Sequence, residues 1–453
     1  MDEKKTDLFE NYSIPKAVAT LAVPSVLGTL VMVLYNMADT YFVGMLNDAV
    51  ETAAVSLAAP MLLAFNAINN LFGVGGSSMM SRSLGKKEYD TVKKTSAFCF
   101  YLATLCGVLI SITYAFFKQP FLNLLGADDI TRDATHRYLF WTVTCGAAPA
   151  ILNVVLSNIV RAEGEAMHAS VGVMSGCILN MMLDPFFILP QFLNMGAAGA
   201  GLATLISNCF ATLYLLMYIF LHRKTTTISL SPRLFGFRSD IIREVFGVGI
   251  PASIQNLLNV TGTLILNNLT AVFGAAAVSA MGIAHKINMM PIYISMGVTQ
   301  GVMPLISYNW ASGNRKRMKD STMFVLRLTI IVTFSLGAAF FIFSEQLIRL
   351  FMTDPDIVTH GKLLLRAMSL GIPFLAIDFS AVAVYQAIGK GSYSLLFAVL
   401  RKIVLEIPAI LILNRFYPLY GMGYAQAVAE LILTVAAAFM LRKIFRTKSE
   451  IKA

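Results

Sequence analysis

Asn180 and Asp184 stand four residues apart inside the apolar run Cys177–Pro190, CILNMMLDPFFILP. On a helix that spacing stacks an amide and a carboxylate on one face. If the run crosses a membrane, holding the carboxylate there costs roughly 2.5 kcal/mol or more unless it pairs, protonates or binds a cation. The chemistry this points to is the handling of a charge. Further acids fall near the middle of apolar runs: Asp378, Glu406 and Glu430. Arg401 and Lys402 lie close to Glu406, with Arg401 about one turn away, so a structural ion pair is expected there. Gln255, Asn259, Thr263 and Asn267, each four residues from the next, form a polar stripe that must face protein or water rather than lipid.

These residues need an apolar scaffold, and the composition supplies one. The 453 residues are 57% hydrophobic and only 13% charged, with a mean hydropathy of +0.70; soluble chains carry about 25% charged residues. Twelve apolar segments long enough to cross a bilayer are expected near 17–43, 53–81, 95–117, 138–160, 167–190, 197–221, 247–271, 276–308, 322–344, 364–388, 392–413 and 420–441. The fold class is thus an all-α membrane protein. About 24 of the 35 Lys and Arg residues collect in the loops and termini of one side, against about seven on the other. This asymmetry accounts for the net charge of +10 without a nucleic-acid partner, and it places both termini in the cytoplasm of a multi-pass cell-membrane protein. No signal peptide is read; the first span is itself the insertion signal. The five cysteines lie within apolar segments and show no metal-binding or disulfide spacing.

The basic stretch Arg223–Glu244 falls at mid-chain, and the sequence repeats across it. Pro24-Ser25 corresponds to Pro251-Ala252-Ser253, and Ala53–Ser56 to Ala276–Ser279. Pro149 corresponds to Pro373, Pro185 to Pro408, and Arg161–Gly164 to Gln386–Gly389. Gly199–Ala203 corresponds to Gly421–Ala425. Six spans per repeat insert both halves the same way round, related by a pseudo-two-fold axis along the membrane normal, an architecture of transporters that bind substrate between their halves. The expected divisions are residues 1–222, a linker at 223–246, and residues 247–453. Asp378 takes the repeat position of Asn153 and could contact a cationic substrate or carry a proton.

Span 1 ends in Tyr35-Asn36-Met37-Ala38-Asp39-Thr40-Tyr41-Phe42-Val43-Gly44. Span 8 reads Met281-Gly282-Ile283-Ala284-His285-Lys286, then Pro291–Gly297, then Gln300–Asn309. These stretches resemble the MATE family (multidrug and toxic compound extrusion), in its DinF-like and MepA-like prokaryotic branch, over nearly the whole chain. The resemblance implies a V-shaped pair of six-helix lobes, a monomer, and export of organic cations or amphiphilic drugs by antiport with H⁺ or Na⁺. It places the cation site on Asp39, Asn180, Asp184 and Thr204, with a backbone carbonyl from Ala200. Tyr35, Asn36, Asn153, Gln255, Asn259, Met296, Gln300 and Asp378 are candidates to line the substrate cavity.

Depth supports the same grouping. At 1.5 Å per residue, Asp39, Asp184 and Thr204 lie at similar levels in the outer half of their spans. Two carboxylates, an amide and a hydroxyl make a hard oxygen site suited to Na⁺; alternatively, two close carboxylates hold one proton between them, because like charges disfavour double ionisation. The bland alternative is that the acids only bond neighbouring helices. Span 8 also carries Met289, Met290, Met296 and Met303, adaptable side chains that suit promiscuous sites and ordinary packing alike. Gly73-Val74-Gly75-Gly76 lacks the strand and the Lys-Ser/Thr of a phosphate loop. No enzyme motif and no cofactor are expected, so the energy comes from an ion gradient. The competing reading is a flippase of lipid-linked precursors, which requires cavity Arg and Lys.

Overall fold

The computed structural model describes residues 3–46 and 48–446, all with side chains except Lys4; Lys448 and Lys452 of the C-terminal basic run lie outside them. Helices occupy each of the twelve expected places. Spans 1 to 3 are Ile14–Gly44, Ala49–Gly85 and Tyr89–Phe116. Span 4 is the bent pair Arg132–Cys145 and Ala147–Ala162, and spans 5 and 6 are Ala166–Ile188 and Ala197–Leu221. Spans 7 to 9 are Ser239–Ala271, Ala275–Ala311 and Arg315–Ile342. Span 10 is the bent pair Pro355–Ser369 and Ile372–Ala387, span 11 runs over 391–416 and span 12 is Tyr420–Arg446. Among the described residues, seven helices are long and apolar enough to cross a membrane, or nine if each bent pair counts as one span. The other three are span 7, which carries the polar stripe, and spans 11 and 12, which carry Arg401, Lys402, Glu406 and Glu430.

The internal repeat recurs in local structure. Asp128 caps the approach to span 4 by accepting the N–H groups of Ile130 and Thr131, and Asp354 does the same for Asp356 and Ile357 at span 10. Both spans then bend, by 51° and 47°. Pro149 and Pro373 follow the two breaks, where a missing N–H is least costly. Gly164 and Gly389 end spans 4 and 10 in left-handed conformations, with φ of +92° and +79°, which glycine adopts without a Cβ clash.

The matched glycine pairs set helix spacing in the same way. A Cβ on Gly199 would stand 2.4 Å from the Phe187 carbonyl oxygen of span 5, and one on Gly421 would stand 2.2 Å from the Leu413 carbonyl oxygen of span 11. Gly201 approaches Tyr138 and Gly423 approaches Leu364 and Ala367, again equivalent places in spans 4 and 10. Small residues at these points let backbones touch, which in a membrane replaces the hydrophobic effect as the source of packing energy.

The chain forms two compact units, one of Leu27–Ser253 with the first residues to Tyr12, the other of Ser13–Val26 with Ile254 onward. The 223–246 segment lies wholly in the first unit. Spans 1 and 7 each change unit just after a proline, Pro24 and Pro251. In the first unit Val245 and Gly249 lie against Gly75 and Leu71 of span 2; in the second, Leu21 and Ser25 lie against Gly301 of span 8.

A short N-terminal helix, Glu3–Glu10, is tied to the first unit through Glu163, which is fully buried in the turn after span 4. Lys5 Nζ donates to Glu163 at 3.0 Å, Thr226 Oγ1 donates to it at 2.6 Å, and Thr227 donates through both its N–H and its hydroxyl. One carboxylate thus anchors the N-terminal helix and the start of the mid-chain linker together.

Candidate functional site

Three helices of the first unit each offer two residues one turn apart: Tyr35 and Asp39 on span 1, Asn180 and Asp184 on span 5, Ala200 and Thr204 on span 6. Span 6 is positioned by Glu51 of span 2, whose carboxylate accepts the Ala197 N–H at 2.6 Å and meets Arg137 at 3.4 Å. An acid at that end also complements the helix dipole. Gly196, just before the helix, leaves the room that Glu51 occupies, since a Cβ there would meet Glu51 Oε2 at 2.6 Å.

Asp184 is completely buried and Asn180 nearly so, while Asp39 and Thr204 are half-buried. With its nitrogen turned toward Asp184, the Asn180 amide donates to both carboxylate oxygens, at 2.9 and 3.2 Å, and its oxygen accepts the Thr204 N–H at 3.1 Å. That orientation satisfies both groups. The Tyr35 side chain hydrogen-bonds that of Thr204 and lies in the field of both Asp39 and Asp184. Asp39 and Asp184 in turn interact with each other. Ala200 is buried one turn before Thr204 on the same helix. Pro185 follows Asp184 inside span 5 and withholds the N–H that the Met181 carbonyl would otherwise receive. The helix ladder is therefore open beside the carboxylate.

Sequence reasoning missed one member of this cluster. Tyr138, buried at the start of span 4, interacts with both Asp39 and Asp184. Its depth near the outer end of its span was the available signal. Neither Asp39 nor Asp184 forms a salt bridge among the described residues. No three His, Cys, Asp or Glu side chains converge among them either. A cation held here would rest on two carboxylates and neutral oxygens, the donor set of a hard cation rather than of zinc.

The second unit treats its acids differently. Arg401 Nη1 donates to Asp378 at 3.0 Å, its Nε stands 3.4 Å from Glu430, and its Nη2 donates to Asn259 at 3.2 Å. Lys402 pairs with Glu406 at 2.6 Å. The ion pair expected at Glu406 is therefore present and is made by Lys402, while Arg401, its neighbour in the π-helical stretch Leu400–Glu406, turns to spans 7, 10 and 12. A small cavity of about 50 Å³ borders Arg401, Lys402, Glu406 and His285.

The remaining cavity candidates are scattered. Asn153 is buried and donates to Asn208 at 3.2 Å, while Asn36 is exposed and donates to the Met32 carbonyl of its own helix. Gln255 accepts from Gln386 at 3.5 Å, so with Asn259 half of the span 7 stripe bonds neighbouring helices. Met296 and Gln300 are half-buried on span 8.

A family profile described as MatE matches residues 24–186 and 251–412, one stretch in each half. The Multidrug export protein MepA of Staphylococcus saprophyticus is 32% identical over 444 residues, covering 97% of this chain and 96% of that protein. Its counterpart in Staphylococcus aureus strain MRSA252 is 31% identical over 442 residues, with the same coverage. Among solved structures, the outward-facing conformation of a multidrug resistance MATE family transporter of the MOP superfamily superposes with a TM-score of 0.92 at 23% identity, covering 98% of both chains. A MOP superfamily transporter from Pyrococcus furiosus, whose binding pocket is described as reversed in polarity, gives 0.87 at 23% identity over 99% of this chain and 100% of its own.

Proposed function

The chain belongs to the MatE family, and from that membership we propose that it exports organic cations and amphiphilic drugs in exchange for inward H⁺ or Na⁺. The observation that carries the coupling is the contrast between the two sets of buried acids. Asp378 and Glu430 share a guanidinium, whereas Asp184 has no cationic partner among the described residues and only Asn180 as donor. An uncompensated carboxylate at that depth favours taking up a proton or a cation, and Asp39, half-exposed beside it, offers the second charge that makes occupancy switchable.

In this reading Asp39 and Asp184 hold the coupling ion, with Asn180, Thr204 and the Ala200 carbonyl completing its shell. Tyr35 and Tyr138 orient the carboxylates. Binding of the ion and of substrate to opposite states drives alternating access. The protein acts as a monomer in the cell membrane, with both termini cytoplasmic. The names of its relatives, multidrug export proteins, support the substrate class. A lipid-precursor flippase is the second reading, because the fold is shared with a transporter of reversed pocket polarity. It requires free intramembrane bases: Arg401 and Lys402 are both paired, which leaves Lys286 of span 8 and Arg327 of span 9 as the bases to test for it.

The test is dye-cation movement in everted vesicles, with ΔpH and ΔNa⁺ imposed separately. Ethidium uptake under one gradient names the coupling ion. No movement under either gradient rejects the drug-exporter reading and moves the case to lipid or other non-drug substrates.

A further inference from the structure

A cleft of about 1000 Å³ opens in the first unit where span 3 begins and span 6 ends, at the side that carries the basic loops, bordered by the strap of residues 225–231. Lys93 of span 3 and Arg223 and Lys224 after span 6 line it; none forms a salt bridge among the described residues, and no acidic side chain faces the cleft. The nearest acid on the same helix, Asp90, is taken by Lys94 at 2.5 Å. The strap is fixed from behind: Thr226 and Thr227 bind Glu163, the Ser229 N–H donates to Ser96 Oγ at 3.0 Å, and Tyr101 donates to the Leu230 carbonyl at 2.8 Å. Three cations are therefore presented by a preorganised frame.

Leu216, Ile219 and Phe220 of span 6 give the cleft an apolar lining. From Phe220 an exposed row continues outside the cleft along the same helix through Met217 and Leu213, 52–68% accessible, at the spacing of one helix face. That row runs from the hydrocarbon region to the cleft, where the Arg223 guanidinium lies over the Phe220 ring at 5.3 Å.

We propose that this cleft binds the headgroup of an anionic phospholipid, its phosphate held by Lys93, Arg223 and Lys224 and an acyl chain lying along Leu213, Met217 and Phe220. The pairing of unneutralised bases with a continuous apolar row fits an amphiphile embedded in the bilayer; a soluble phosphate would use only the first. Basic pockets between spans at this face of a membrane protein are chemically matched to anionic lipid headgroups.

The experiment is native mass spectrometry of the full chain offered equal amounts of phosphatidylglycerol and phosphatidylcholine, with thermal unfolding in the same lipids. A basic residue near an anionic lipid surface contributes roughly fivefold to binding. Wild type should retain phosphatidylglycerol preferentially, Arg223→Gln should lower the preference by about that factor, and Lys93→Gln/Arg223→Gln/Lys224→Gln should remove it. Lys86→Gln/Lys316→Gln/Lys319→Gln, which deletes the same charge elsewhere, should keep it. Phosphatidylglycerol should also raise the melting temperature more than phosphatidylcholine, while inorganic phosphate and glycerol phosphate leave it unchanged. Equal retention of the two lipids by wild type overturns the proposal. So does an equal loss in both triple variants, which would indicate net charge alone, or equal stabilisation by soluble phosphate, which would indicate an anion site without a lipid. The wild-type arms decide the matter even if the triple variant does not fold.

Discussion

Asp184 is buried with an amide for a neighbour, whereas Asp378 and Glu430 are buried on either side of one guanidinium. The difference predicts opposite phenotypes. Asp184→Asn and Asp39→Asn should each abolish transport while the protein remains folded, because neither carboxylate balances a buried base. Wild-type export by both variants would move the coupling role to Asp378. Arg401→Gln strands two carboxylates in a low-dielectric core, and loss of one member of a buried pair costs about 3–5 kcal/mol. Its melting temperature should fall markedly, with transport declining in proportion to folded protein. An unchanged melting temperature with altered coupling would show that Arg401 acts in transport rather than in holding spans 10, 11 and 12 together. Tyr138→Phe keeps the ring and removes the hydroxyl near both acids. It should weaken coupling several-fold without loss of stability, read as the ion concentration that half-saturates transport.

Between helices, the repeat is a packing device as much as a relic of duplication. Gly199 and Gly421 occupy matched positions, each with a carbonyl oxygen where a Cβ would stand. Gly199→Leu and Gly421→Leu should therefore lower thermal stability to a similar degree, since each must push apart the same kind of helix pair. A large effect at only one site would mean that the two hairpins are not equivalent supports. Glu163 works at the same scale by tying the N-terminal helix and the linker to the turn after span 4. Glu163→Ala leaves the nearly buried Lys5 only its longer contact with Glu165, at 3.4 Å, and frees Thr226 and Thr227, and the expected result is faster proteolysis at both the N-terminal helix and the linker. Cleavage confined to one of them would show that the two are anchored independently.

For the whole molecule, each compact unit is assembled from separated pieces of chain, because residues 13–26 pack with the second unit and residues 239–253 with the first. Cutting the chain at Gly236, where nothing lies within 4 Å of a would-be Cβ, tests this. Fragments 1–236 and 237–453 expressed singly should fail to accumulate, since each lacks the helical segment, 239–253 or 13–26, that packs within its own unit and is carried by the other fragment. Co-expressed, they should purify together. A stable, soluble-in-detergent 237–453 fragment on its own would contradict the exchange of these segments.

Hydropathy and the mid-chain repeat were enough to place twelve helical segments and a membrane setting, because each depends on local composition or on spacing along one chain, while the family was legible only as a resemblance carried by Tyr35–Gly44 and by stretches of 281–309. The pairs Asn180 with Asp184 and Lys402 with Glu406 were legible for the same reason: residues four apart meet on any helix. What crosses between helices was not. That Tyr138 joins the two acids, that Arg401 turns to Asp378 and Glu430 rather than to Glu406, and that Glu163 gathers Lys5, Thr226 and Thr227 all depend on helix rotation. Rotation is set by close approaches such as Gly199 on Phe187, which hydropathy does not encode. The change of unit within spans 1 and 7 was likewise a tertiary decision, since each helix continues unbroken past Pro24 or Pro251 and only the packing partners on either side tell the two parts apart.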